Sequence, residues 1–390
     1  MAAPWVGILQ QSIPEWTGNV LDTTIYKRLW LAMLQNRGRV RTGVNGSYEK
    51  DRSVDWKEAP VTSFGYGQGI DYAPQNYLKK TSLDWKSLIA SDTMHIIEYM
   101  EMGGDAGSPT TIVNRYRRII PKLMSGIKNK IGLQIYADAN ATGKELDFDG
   151  LETACSTVEA AGSITSSTCA ATDIVAAHST TALYQGLPTY TAQAGSWSGH
   201  LGAVAHTAGY YPNHVIHTDW PEGHGDPEYA YRSPILANWS STKWGTDKAT
   251  WEGNAQRCLS RVGMWIRNTA GGQGNGSSLM CMLSTDMMAG FKNSLRASNL
   301  ILTPHKESET LGFGDVLNYE GLGTYCEYGC PPQTGYVLDM DDIELMFVSK
   351  DLVETRGPFE ESDGSYKWYA ISLGNFSFDP RRIAKVFNYA

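Results

Sequence analysis

Ser108 to Asp138 runs SPTTIVNRYRRIIPKLMSGIKNKIGLQIYAD, and its periodicity sets the architecture of the whole chain. Ser108-Pro109 marks a helix start: a capping residue, then proline at the first helical position, where its missing N–H has no intrahelical partner to lose. Ile112, Tyr116, Ile119, Ile120, Leu123 and Ile127 recur at the spacing of one helical face. Arg115, Arg118 and Lys122 form a separate stripe at i, i+3 and i+7. Between Ala106 and Ala137 there are six Lys/Arg and no Asp or Glu, in a chain of net charge −8. As one rod the segment would span about 40 Å. Pro121 opposes that rod by about 3 kcal/mol, and Gly126 and Gly132 by about 1 kcal/mol each. Lys130 returns to the apolar arc, so the spacing predicts a kink or drift after Leu123. Two readings stand: an amphipathic core helix with a solvated basic face, or a long backbone helix with one face on a core and the other toward a polyanion.

Upstream the period changes from helical to alternating. Met94 to Met102 predicts a strand that enters the helix through Gly103-Gly104-Asp105. From Asn45 to Trp85, Val54 and Trp56 alternate with Asp55 and Lys57, and Leu83 and Trp85 with Asp84 and Lys86. Between them Phe64 to Tyr72 is a Gly/Tyr tip, so the pattern predicts a long two-stranded hairpin. Such a hairpin has too little core to stand alone in water and must lie on its own body or on a neighbour. Further upstream, Ile25, Leu29 and Met33 predict a short helix from Thr24 to Asn36, closed by Arg37-Gly38. Residues 1–22 scatter Trp5, Ile8, Leu9 and Trp16 among Pro4, Pro14 and Gly18, as in an extended arm.

Downstream, Leu146-Asp-Phe-Asp-Gly-Leu151 resembles a cation loop only in its alternating acids. The other ligand positions of a calcium loop are missing, so a turn into a further helix is expected. From Glu145 to Tyr231 there is no Lys or Arg, but ten Asp/Glu and much Ala, Ser, Thr and Gly. His200, His206, His214, His217 and His224 fall here beside Asp219, Glu222 and Asp226. A metal site is nonetheless disfavoured, because Asn213 to Thr218 has strand character and His214 and His217 then point to opposite faces. Ala255, Cys258, Leu259, Val262 and Ile266 predict a helix, followed by the loop Gly271 to Gly276. Leu279 to Leu283 predicts a buried strand, and Ser284-Thr285-Asp286 opens a helix to about Ser298. That Gly-rich loop lies after a helix and before a strand, the reverse of a phosphate-binding fingerprint. Strands are then expected at Val316–Tyr325, Tyr336–Met340, Ile343–Val348 and Phe376–Phe387, with Phe359 to Gly364 as a loop between the last two.

Composition narrows the class. The chain has 390 residues, enough for two or three domains, with only 19% charged residues, 12 Trp and 21 Tyr. Aromatic-rich, charge-poor chains suit large buried interfaces. The start MAAPWVGILQQSIPEW lacks a basic segment followed by a long apolar run, so no signal peptide is expected. No run of about 18 apolar residues predicts a membrane span. The sequons at Asn45, Asn140, Asn238, Asn275 and Asn375 then carry no meaning. Cysteines 155, 169, 258, 281, 326 and 330 are scattered, as expected of buried thiols, and Cys326/Cys330 alone is a weak metal signal. No catalytic signature is present: Gly195 to Gly199 centres Trp197 where a nucleophile elbow needs serine, and neither a Walker loop nor a zinc helix occurs. No cofactor or metal is called for.

The order of parts resembles tailed-bacteriophage major capsid proteins of the Hong Kong 97 fold. Three places carry the likeness. The first is Leu83-Asp-Trp85 on the return strand, leading through Gly104-Asp-Ala-Gly107 into the helix. The second is Asp149-Gly-Leu151, and the third is Gly312 to Leu322 with Gly335-Tyr-Val-Leu338 and Gly374-Asn-Phe376. The resemblance implies an α+β chain with an N-terminal arm and short helix (1–44) and an extended hairpin or E-loop (45–90). A P-domain with the spine helix (91–150) follows, then an A-domain (151–310) with an insertion at 153–231, and a closing β segment of the P-domain (311–390). It implies no enzyme, but a shell subunit assembling with itself as pentamers and hexamers around double-stranded DNA, built in a host cytoplasm and located in the virion. Portal and decoration proteins are implied partners, and since no helical scaffolding region precedes the arm, scaffold is expected to be a separate protein or dispensable. Arg115, Arg118 and Lys122 are then candidates to face DNA, and Trp56, Tyr66, Tyr72 and Trp85 to meet neighbouring subunits. The rival within the fold is an encapsulin-like compartment; the rival outside it is a carbohydrate-binding or hydrolytic soluble domain.

Overall fold

A computed structural model describes residues 28–44, 49–55, 65–67, 78–95, 109–155, 174–176, 183–189, 234–239, 250–269, 278–297, 303–306, 310–311, 316–327, 329–360 and 365–388. The long helix α2 (Pro109–Gln134) runs through Pro121 as one element. Among its described side chains Ile119, Ile120, Leu123, Met124, Ile127 and Ile131 are buried, with Ile135 just past its end, and this apolar face holds the helix against the cost of the proline. The phase differs from the expected one near the end. Lys128 is buried, whereas Lys130 is half-exposed and paired with Asp147 at 3.2 Å.

The short helix α1 (Leu29–Asn36) is buried from Leu29 through Leu34, on every side rather than along one stripe. It ends where Gly38 adopts φ +67°. The N–H of Gly38 donates to the Gln35 carbonyl (3.0 Å) and that of Arg39 to the Leu34 carbonyl (2.7 Å), a Schellman closure that needs the left-handed residue.

Two sheets share the core. In the first, the central strand is β16 (Ser365–Ser377), and β4 (Lys86–His95) pairs antiparallel along one edge, from His95↔Ser365 to Lys86↔Gly374. Its other edge is shared end to end by β15 (Glu354–Glu360) and β14 (Glu344–Phe347), and β1 (Val40–Arg41) lies parallel beyond β14. The second sheet is eight-stranded. Its order is β10 (Thr303–Pro304), β11 (Leu317–Tyr319), β12 (Leu322–Cys326), β9 (Leu279–Leu283), β13 (Gly335–Asp339), β17 (Ile383–Phe387), β8 (Ile235–Asn238) and β5 (Ile174–Ala176). Two small hairpins are the remaining strand pairs among the described residues: β2 (Glu49–Asp55) with β3 (Leu78–Asp84), and β6 (Leu183–Tyr184) with β7 (Leu187–Pro188).

The second sheet is covered on both faces, which is why Leu279 to Leu283 is apolar at every position and wholly buried. Met280, Met282, Tyr336, Leu338, Leu236 and Ile383 face a core built with α1, α2 and the first sheet. Leu279, Cys281, Leu283, Val337, Ala384 and Val386 face α4 (Trp251–Thr269) and α5 (Thr285–Ala297). The short α3 (Leu151–Cys155) follows the turn after α2, as expected.

Met94 and His95 end the strand Lys86–His95, in which the alternation of the hairpin's return strand continues past Trp85 into another sheet; the rest of the strand expected at Met94–Met102 lies outside the described residues. Other expectations are corrected. Val316–Tyr325 is a hairpin: Glu320 (φ 50°) and Gly321 (φ 81°) turn the chain between Tyr319 and Leu322. Of the loop expected at Phe359 to Gly364, Phe359 and Glu360 are strand, at the end of β15, while 361–364 lie outside the described residues; the strand ending at Phe376 is longer than expected and starts at Ser365. Phe376–Phe387 is split by the turn Pro380–Arg382, and its halves belong to different sheets. Ser284 stands at the start of α5, but its hydroxyl is buried with no hydrogen-bond partner among the described residues, so the expected cap is positional only.

Candidate functional site

The hairpin β2–β3 forms a two-stranded sheet separate from the two that build the core. Seven residues pair on each side, from Glu49↔Asp84 to Asp55↔Leu78. Near the root Thr81 and Leu83 are buried, while Lys80 and the tip residues Gly65, Tyr66 and Gly67 are exposed. The hairpin is thus anchored at one end, and the anchor is the site on which its aim depends.

Asn375 forms the centre of that anchor. It is fully buried, and its amide donates to the Asp84 carbonyl (2.8 Å) and to Asp149 Oδ2 (2.7 Å). Its Oδ1 accepts from the Asp149 and Phe376 N–H groups, both at 2.8 Å. Leu83-Asp-Trp85, Asp149-Gly-Leu151 and Gly374-Asn-Phe376, far apart in sequence, therefore meet at one side chain. The glycines beside it are obligatory. A Cβ on Gly150 would lie 2.4 Å from the Gln134 carbonyl oxygen, and one on Gly374 would lie 2.5 Å from that of Met346. Burial raises the Asp149 carboxyl above its ordinary range, against the hydrogen bond from Asn375 that favours the anion.

A second brace comes from the Lys/Arg-free segment. The Ser82 N–H donates to the Gln185 carbonyl (3.1 Å). Gln185 (φ 53°) and Gly186 (φ 73°) form the turn between β6 and β7. Tyr184 stacks on Phe378 at 4.3 Å, donates to the Phe376 carbonyl (3.2 Å) and accepts from the Phe378 N–H (3.1 Å). No periodicity in the sequence signals this brace.

No family model and no curated protein matches the sequence. Solved structures do match. The cyanophage A-1(L) capsid asymmetric unit aligns over 94% of this chain and 94% of that one, with 14% identity and a TM-score of 0.53. The capsid of Myoviridae phage XM1 covers 91% and 92% (6% identity, TM-score 0.45), and the holo-SrpI encapsulin complex from Synechococcus elongatus covers 92% and 87% (8%, 0.42). The fold is that of a phage capsid protein. The first of these three carries that assignment, and at its level of identity it assigns the fold alone.

Within the capsid fold, the expected site residues fall in different places. Trp85 is 8% exposed, packed with Leu83 and Met346 in a small core at the hairpin root, so its contacts are made inside the subunit. Tyr66 is fully exposed at the tip. Trp56 and Tyr72 lie outside the described residues. Arg115, Arg118 and Lys122 lie on α2; Lys122 is exposed, and of the two arginine side chains nothing is described. Among the described residues no group of three or more His, Cys, Asp and Glu could hold a metal ion, and no helix is long and apolar enough to cross a membrane. The five histidines from His200 to His224 lie outside the described residues.

Sequence reasoning missed two further features. One is a partly exposed apolar face on the first sheet. Tyr366, Trp368, Ala370 and Ser372 of β16 point to the core, whereas Lys367, Tyr369, Ile371 and Leu373 alternate outward. Ile89, 66% exposed, stands opposite Ile371, and half-exposed Phe359 stacks on Tyr369 at 5.6 Å. The other is a set of buried ions joining distant segments. Arg28 pairs with Glu327 at 2.9 Å, beside Gly132, where a Cβ would strike the guanidinium. Burial, outweighing Arg28, raises the Glu327 carboxyl to about 7. Lys385 meets Glu152 at 2.5 Å, and the Tyr336 hydroxyl donates to the same oxygen; burial and Glu152 hold that hydroxyl well above its ordinary range, so it stays a donor. Glu344 clamps Arg39 (3.1 Å) and Arg41 (2.8 Å), fastening β1 to β14.

Proposed function

We propose that this chain is the structural, non-catalytic major capsid protein of a double-stranded DNA phage. In this reading it assembles with itself as pentamers and hexamers into an icosahedral shell around the genome. The observation that carries the reading is the capsid fold across nearly the whole length of both chains. Two features of the subunit support it. Among the described residues of the hairpin, Thr81 and Leu83 near the root are buried while Lys80 and Tyr66 are exposed, and the outer face of the first sheet leaves Ile89 and Phe359 exposed beside half-buried Ile371 and Tyr369. A hairpin of two strands is marginal in water by itself, so packing against an adjacent subunit supplies the burial it lacks. Tyr66 at the tip is then an intersubunit residue, while Trp85 holds the root.

The basic stripe of α2 is assigned to the genome side. Arg115, Arg118 and Lys122 offer three charges per subunit in a chain that is otherwise acidic, which suits loose, salt-sensitive contact with phosphates. Electron microscopy of the protein expressed alone, and of particles from infected cells, tests the proposal. Closed shells, with DNA inside those from infected cells, are expected. Monodisperse monomers would refute the shell, and closed particles that enclose a protein cargo and no DNA would move the assignment to a compartment.

A further inference from the structure

The strand β4 leaves one edge open. It pairs with β16 along its whole length without a register shift, and among the described residues no strand lies on its other side. The direction of its backbone groups follows from β16. The Leu373 carbonyl accepts the Val348 N–H (3.0 Å) on the far edge of β16, so Leu373↔Ser87 is a pair without mutual hydrogen bonds. The same holds at every second step, for Ile371↔Ile89, Tyr369↔Ser91 and Lys367↔Thr93. The N–H and carbonyl groups of Ser87, Ile89, Ser91 and Thr93 therefore point away from β16, and all four residues are exposed. The Thr93 N–H donates to Asp92 Oδ1 (2.9 Å); those of Ser87, Ile89 and Ser91 have no partner among the described residues. Other strand edges are blunted by shortness, bulges, proline or charge, the usual guards against a foreign strand. β15 is bulged between Arg356 and Phe359, with Gly357 at φ 121° and Pro358 beside it. β1 and β10 have two residues each, β10 ending in Pro304, and β5 has three. β2 carries Glu49, Lys50, Asp51, Arg52 and Asp55. β4 is long and proline-free, and none of its four outward residues is charged.

We infer that the edge from Ser87 to Thr93 receives an added β-strand formed by Trp5–Ile13 of a second copy of this chain. That the donor is a second copy rests on the shell proposed for this chain; the choice of segment rests on the sequence. Trp5-Val-Gly-Ile-Leu-Gln-Gln-Ser-Ile13, outside the described residues, is a run of nine without charge or proline, bounded by Pro4 and Pro14. Proline cannot donate to a ladder, so these two mark the ends of a strand that the run is long enough to form along the open edge. Residues 14–27, which join it to Arg28, can span about 45 Å, more than the roughly 30 Å of a small domain, so the run can reach a neighbouring copy. Main-chain hydrogen bonds to the outward groups of β4 supply the attachment, and side chains supply the fit. In an extended strand Trp5, Leu9 and Ile13 share one face and Val6 and Ile8 the other. Either face then lays apolar groups beside exposed Ile89.

The full-length protein with photoreactive benzoylphenylalanine in place of Ile89 reports what lies against this edge. Irradiation, a denaturing gel and peptide mass spectrometry should give covalent dimers whose links map to residues 5–13. Links to 5–13 within single chains would overturn the second copy as donor, and links elsewhere, or none, would overturn the segment. Ser91→Pro removes an N–H that β16 does not use, so the subunit should keep its circular dichroism while the dimer yield falls by about tenfold or more. Ile8→Pro breaks the donor strand instead, leaves every described residue untouched and should lower the yield in the same way. An unchanged yield in either folded variant would overturn the edge pairing. Microscopy of the same samples separates this inference from the shell: closed shells without links to 5–13 defeat the inference and leave the shell, whereas linked dimers without shells uphold the inference and defeat the shell.

Discussion

Replacing Asn375 by Ala should detach the root of the hairpin from the body. The side chain makes four hydrogen bonds in a fully buried position, two donated and two accepted. Truncation strands the Asp149 and Phe376 N–H groups, the Asp84 carbonyl and the Asp149 carboxyl. A net intramolecular hydrogen bond contributes about 1 kcal/mol, and a buried group left without a partner costs about 1–3 kcal/mol. Partial rearrangement and access of water bring the expected loss to about 3–5 kcal/mol, within the range for breaking a buried polar network. Asn375→Asp separates the donors from the acceptors: it keeps Oδ1 and loses the amide, while setting a second carboxylate against Asp149. Its deficit should be similar near neutral pH and shrink on acidification, when either acid can be protonated and donate. Urea unfolding followed by tryptophan fluorescence measures the loss, and hydrogen exchange at 80–86 and 147–151 locates it. A loss below about 1 kcal/mol for Asn375→Ala, or unchanged exchange at the root, would show that the junction is held by packing alone and that the argument from these four bonds is wrong.

Three further outcomes are expected. Deleting Gly46 to Lys80 should leave a soluble, partly folded protein that builds no closed shell; normal particles in the microscope would contradict the hairpin's intersubunit role. Changing Arg115, Arg118 and Lys122 together to Gln should leave shell assembly intact, because the buried face from Ile119 to Ile135 is untouched, but should lower the ratio of full to empty particles, most at raised salt. Equal ratios across a salt series would remove the genome-facing assignment while leaving the shell. Glu327, raised to about 7 from a usual value near 4.5, supports the fold below about pH 4.5 and loses that support as pH rises through 7. Glu327→Gln should therefore flatten the pH dependence of unfolding between pH 5 and 8, and an unchanged slope in denaturant midpoints would assign the titration elsewhere.

Much of the secondary structure was written locally. The helix from Pro109, the buried strand Leu279–Leu283, the helix after Ser284 and the hairpin before Trp85 follow from spacing along the chain, because a periodic face dictates its own element whatever it packs against. The order of these elements was also enough to suggest the capsid fold. What the tertiary structure alone decided was non-local. Lys128 is buried and Lys130 is not, because the phase of α2 is set by the core it meets over its last turns. Glu320-Gly321 turns a run that looks like one strand, and Pro380–Arg382 divides another between two sheets, since strand pairing depends on partners far away in sequence. Leu83-Asp-Trp85, Asp149-Gly-Leu151 and Gly374-Asn-Phe376 were visible as separate motifs. That they close on Asn375 was not, because a hydrogen bond between residues 84 and 375 leaves no periodic trace in either segment; only the folded chain brings its donors and acceptors within 3 Å.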